Sequence, residues 1–169
     1  MSPSVADDKP QSKWFLTLAI IAILLLSIYP LSTWGQWLRP EFAVLAVIYW
    51  VMSAPFQLGM TLAWFIGLSL DLLEGSVLGQ HALALTIIAY ICALSHQQLR
   101  MFSLGAQILA VILLVFLYQL MNYWVNSLTG GSFDSMLFLL PALMSGLFWP
   151  LLKLIFDNMS VKTIFLLNN

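Results

Sequence analysis

Long apolar runs alternate with short polar breaks along this chain, and six such runs follow one another. They cover about Trp14–Tyr29, Phe42–Ala54, Leu58–Leu73, Leu78–Ser95, Leu104–Val125 and Met136–Phe156. Pro30 and Pro55 close the first two runs, where the residue before a proline turns away from helix. Runs of this length and uniformity read as membrane helices rather than as strands. The expected fold is an all-α integral membrane protein, a compact bundle of six transmembrane helices. The helical body spans residues 14–157, between polar tails at 1–13 and 158–169.

The second and third runs are short, about 13–16 residues or roughly 20–24 Å at helical rise, against a hydrocarbon core of about 30 Å. Phe42–Leu73 is therefore either two short spans or one long tilted span. The basic residues discriminate. With six spans and an inside N-terminus, Lys9, Lys13, Arg100, Lys153 and Lys162 are cytoplasmic, and Arg39 alone of the six is outside. With five spans only Lys9 and Lys13 stay inside. The positive-inside rule favours six spans with both termini cytoplasmic. The turn-like Ser53-Ala54-Pro55-Phe56-Gln57 suits a hairpin there.

Composition excludes several classes. The chain is 62% hydrophobic and only 8% charged, whereas a soluble domain carries about 25% charged residues. A net charge of −1 argues against a nucleic-acid partner. Lys9 and Lys13 before the first apolar run resemble the start of a signal peptide, but no A-x-A-like site follows. Trp14, Trp34 and Trp37 read instead as interface anchors of an uncleaved first helix. Cys92, alone in an apolar run, reads as structural.

A few residues break the apolar pattern. Gly59, Ala63 and Gly67 recur every four residues and form a ridge without side-chain bulk. Such a ridge serves close packing within the bundle or docks a partner's helix. Asp71 continues the same face, and a carboxylate near the membrane boundary calls for a partner. It either caps the turn holding Gly75 and Gly79, pairs with Arg39, or contacts a ligand or partner. Glu74 lies in the same outer loop, and His81 opens the next helix beside Asp71, as an interfacial hydrogen-bonded residue or a proton relay. Gln119, Asn122 and Asn126 share one face of the fifth helix. They either bond helices together or line a polar pocket with Tyr118, Tyr123 and Trp124. Pro141 and Pro150 suggest a kinked or shortened sixth helix. No residue set has metal-ligand spacing. No nucleophile elbow, P-loop or dinucleotide fingerprint occurs, and Ser145-Gly146 has no histidine beside it on its helix. The expectation is a chain that is not an enzyme and carries no cofactor.

One stretch carries a family resemblance. Arg39-Pro40-Glu41 opens a helix containing Ile48-Tyr49-Trp50, and Gly67-Leu-Ser-Leu-Asp71-Leu-Leu-Glu74-Gly75-Ser-Val-Leu-Gly79-Gln80-His81-Ala-Leu follows. The combination resembles the rod shape-determining protein MreD family, closely over about residues 39–83 and elsewhere only as apolar helices. The resemblance implies a bacterial inner-membrane protein of the cell-elongation machinery, which directs peptidoglycan synthesis along the side wall. It implies MreC as direct partner, with MreB, RodA and its penicillin-binding transpeptidase in the same assembly, besides membrane lipid. It also implies a fold like the substrate-capture subunits of energy-coupling-factor transporters. The expected function is a non-catalytic membrane scaffold. The alternative is a solute- or lipid-binding transporter subunit, suggested by the same fold resemblance and by the Gln119/Asn122/Asn126 face. A homodimer is a further open arrangement.

Overall fold

The computed structural model describes residues 13–28, 38–53, 59–129 and 140–167. Expectations for the N-terminal tail, for Trp34 and Trp37, for the Pro55 turn and for the loop around Gly130-Gly131 lie outside the described residues. All regular structure among the described residues is helical: α1 (Lys13–Ile28), α2 (Phe42–Ser53), α3 (Gly59–Glu74), α4 (Gln80–Met101), α5 (Leu104–Leu128) and α6 (Leu140–Leu167). The stretch 42–73 is thus two helices rather than one long one.

The shortness of α2 has a physical reason. Its sequence is apolar on every side, and a helix of that kind belongs in an interior. Every residue from Ala43 to Met52 is buried, and α2 touches each of the other five helices. A central rod sheathed by its neighbours does not need to match the full hydrocarbon thickness by itself. Tyr49 stacks on Phe156 of α6 at 4.8 Å between ring centroids, and Trp50 meets the same ring edge-on at 6.2 Å.

Helices α3 to α6 wrap this rod and turn apolar side chains outward. Phe65, Leu72, Leu94, Leu113 and Leu147 are all more than half exposed. An apolar surface of that extent fits lipid rather than water. Among the described residues, α4 and α5 are long and apolar enough to cross a membrane.

The small-residue ridge packs inside the chain. Gly59, Ala63 and Gly67 are buried. A Cβ on Gly67 would fall 2.3 Å from the Ala82 Cα, and one on Gly59 would fall 2.8 Å from Val51 Cγ2. The ridge seats the start of α4 and the end of α2, so at Gly59 and Gly67 the contacts are those of close packing within the bundle.

Helix α6 runs 28 residues, through Pro150 and past Phe156, so the backbone through Leu167 is helical where a tail is expected. Pro141 sits in the first turn of the described helix, where a missing N–H is tolerated. Pro150 is inside the helix and directs its ring at the carbonyl of Gly146, one turn earlier.

Candidate functional site

The α3–α4 turn is organised by one carboxylate. α3 ends with Gly75 at φ 66°, the left-handed geometry glycine supplies at a helix C-terminus. Ser76 N–H then returns to the Asp71 carbonyl at 3.1 Å, closing the six-residue end motif. At the other side of the turn Gly79 is also left-handed, φ 96°, and brings no side chain to cap α4. Asp71 supplies that cap from eight residues upstream. Its carboxylate accepts Gly79 N–H at 2.9 Å, His81 N–H at 2.8 Å and Ala82 N–H at 3.4 Å. These are the orphan donors of a helix start, and the negative charge also complements the helix dipole.

Two side chains complete the coordination. Ser76 Oγ donates to Asp71 Oδ1 at 3.0 Å, and His81 Nδ1 lies 2.9 Å from the same oxygen. A carboxylate only accepts, so the proton of that pair belongs to Nδ1. The second ring nitrogen lies 3.6 Å from Glu74 Oε2. The capping reading of Asp71 holds. The pairing with Arg39 does not, because the Arg39 guanidinium donates to the Leu26 carbonyl in the last turn of α1, where a cation is favoured.

The structure joins two groups that are separate in the sequence. A cleft of about 290 Å³ opens beside this turn, lined by Glu41, Glu74, Ser76, Gln80 and His81 on one side and Gln119, Asn122, Tyr123 and Asn126 on the other. The amide face of α5 therefore looks into the acidic end of α2, α3 and α4. Tyr118 is buried behind the cleft, its ring 6.1 Å from that of His81. Trp124 is 70% exposed and points away.

Glu41, like Ser76 and Gln80, is a cleft residue that the sequence pattern does not single out. Its N–H donates to Ser145 Oγ of α6 at 2.9 Å, and Gln119 donates a hydrogen bond to its carboxyl. Burial, reinforced by the nearby Glu74 charge, pushes this carboxyl above its ordinary value of 4.5 against the opposing pull of His81 and Arg39. Gln80, Gln119 and Asn122 each keep a buried amide oxygen with no hydrogen-bond partner. A buried acceptor left open costs about 1–3 kcal/mol.

A second polar cluster, also absent from the sequence reading, joins α4, α5 and α6 at the far end of the bundle. Gln107 Nε2 donates to the carbonyls of Leu99 and Phe102, both at 3.1 Å, and so closes the end of α4. Its oxygen accepts Lys153 Nζ at 3.0 Å and Trp149 Nε1 at 3.4 Å. Every polar atom of Gln107 is thereby used, which marks this cluster as structural. Cys92 is fully buried. Among the described residues no group of three or more His, Cys, Asp or Glu could hold a metal ion.

Among the described residues, a helical bundle with an apolar exterior, a sheathed central helix and a polar cleft at a helix–turn–helix end defines a membrane-type helical protein. The family model described as rod shape-determining protein MreD matches residues 9–159, and on that match the chain belongs to the MreD family. The rod shape-determining protein MreD of Haemophilus influenzae is 36% identical over 139 residues, 82% of this chain and 86% of that one. No solved structure matches the chain.

Proposed function

We propose that this protein is a non-catalytic scaffold of the rod complex in the bacterial inner membrane. It crosses the membrane six times with both termini in the cytoplasm. It binds MreC and helps to position the peptidoglycan synthases of side-wall growth, RodA and its penicillin-binding transpeptidase, with MreB in the same assembly. The observation that carries this reading is the match of residues 9–159 to rod shape-determining proteins.

The site geometry supports the non-catalytic part. Asp71 and His81 have the composition of a proton relay, yet the carboxylate is committed to a helix cap by several donors. The basic residues support the topology, with five on one side and Arg39 on the other. The filled small-residue ridge leaves the outward lipid-facing surfaces for MreC and any second copy of this chain.

The test is affinity purification of the full chain in mild detergent from a rod-shaped host, with identification of the proteins and lipids that follow it. MreC should co-purify, and loss of the gene should round the cells. Normal rods after deletion, with no MreC recovered, would refute the scaffold. The cleft favours the second reading, a solute- or lipid-binding transporter subunit with the fold of energy-coupling-factor capture subunits. That reading requires a tightly held solute and a dependence on an ATPase partner.

A further inference from the structure

The cleft beside the α3–α4 turn has unmet chemistry of one sign. Glu41 and Glu74 both line it, and the Glu74 charge reaches the Glu41 carboxyl. No described lysine or arginine forms an ion pair with either carboxylate. The basic group nearest in sequence, Arg39, is held by the Leu26 carbonyl on α1 instead. His81 reaches Glu74 through one ring nitrogen and is held by Asp71 through the other.

The amides point the same way. Gln80 is 5% exposed and Gln119 is 9% exposed, both line the cleft, and each keeps a carbonyl oxygen without a donor. The Gln119 side chain also hydrogen-bonds the Glu41 carboxyl. Asn122 adds a third open oxygen. Buried acceptors without donors are rare in a folded protein, and each calls for an explanation.

We propose that this cleft binds a small organic cation through a primary ammonium or guanidinium group. Such a group brings several N–H donors and one positive charge, which the open amide oxygens and the two carboxylates accept together. A divalent metal fits less well. It needs six or more oxygens at about 2.0–2.6 Å, whereas these acceptors border a cleft of about 290 Å³, near the lower size of small-molecule sites. The cation arrives either as a free solute or as the amine headgroup of a lipid. The proposal is independent of which proteins the chain assembles with.

The test uses the full chain in maltoside detergent and in nanodiscs. In detergent, calorimetric titration with putrescine, a diammonium probe, is compared with 1,4-butanediol, a neutral chain of the same length. In nanodiscs made of equal phosphatidylethanolamine and phosphatidylcholine, native mass spectrometry reads which lipid is retained. Saturable putrescine binding with no butanediol response identifies a free cation, and selective retention of phosphatidylethanolamine identifies the lipid amine. Glu74→Gln, at the exposed rim of the cleft, should weaken the observed binding by about tenfold while leaving the melting midpoint in place. Glu41→Gln should weaken it as much. Absence of both responses, or binding unchanged in Glu74→Gln, overturns the proposal.

Discussion

Gly67 of α3 rests against the backbone of Ala82 in the first turn of α4, so closely that a Cβ there would lie 2.3 Å from the Ala82 Cα and 2.5 Å from its nitrogen. The neighbour is backbone, so no rotamer change relieves the contact. Gly67→Ala should cost about 1–3 kcal/mol by overpacking, read as a lower melting midpoint in detergent. Gly146→Ala should cost less. Its added methyl meets the Ile112 side chain, at 2.4 Å from Cγ1, and that half-buried side chain can turn. Equal losses in the two variants would contradict this contrast.

Asp71→Ala should cost about 3 kcal/mol, since it removes a helix cap and strips the half-buried donors of Gly79 and His81 of their acceptor. Asp71→Asn keeps one oxygen and should lose about half as much. Hydrogen exchange distinguishes this from a diffuse effect. The Gly79, His81 and Ala82 amides should lose protection first, and protection at Gln107 should stay unchanged.

The half-buried Glu41 carboxyl gives stability a pH dependence of definite sign. Its carboxyl titrates above 4.5 in the folded chain because burial and Glu74 disfavour the charge, with His81 and Arg39 opposing. The folded state therefore holds this proton more tightly than the unfolded state. Its contribution is greatest below pH 4.5 and declines as pH rises through the folded value. Glu41→Gln should flatten that decline and should be relatively more stable at neutral pH than at pH 4. Melting midpoints over that range check it, and a decline of equal steepness in the variant would refute it.

At the opposite end of the bundle, Gln107→Leu should destabilise by about 1–3 kcal/mol. It leaves the Leu99 and Phe102 carbonyls and the Trp149 N–H without partners. Lys153→Met should cost well under that, because Gln107 keeps its other bonds and the lysine stem is already half-buried. Thermal midpoints of the two variants should fall in that order.

How much of this was legible in the sequence depends on the distance over which each feature closes. The helices were readable because apolar runs and Pro or Gly breaks are local. The Asp71 cap was readable because a carboxylate stood just ahead of a Gly75–Gly79 turn. The ridge was readable as a close-packing surface, but not its occupant, since Ala82 reaches Gly67 only after the chain has turned. The joining of Glu41 to Gln119 and of the Glu41 N–H to Ser145, 104 residues away, depends on how six helices pack and has no local signal. Gln107 and Lys153 did carry one, an amide and a lysine in apolar helices, which helical bundles seldom leave unpaired.

The Asp71 carboxylate and the His81 N–H that it accepts are only ten residues apart. Loop closure over so short a stretch costs little entropy, so the α3–α4 hairpin has its lock as soon as both helices have left the ribosome. The pair can then form with the facing ends of both helices already satisfied, before α5 and α6 have been made. Order of synthesis thereby becomes order of assembly, and the later helices find a preformed wall to build against.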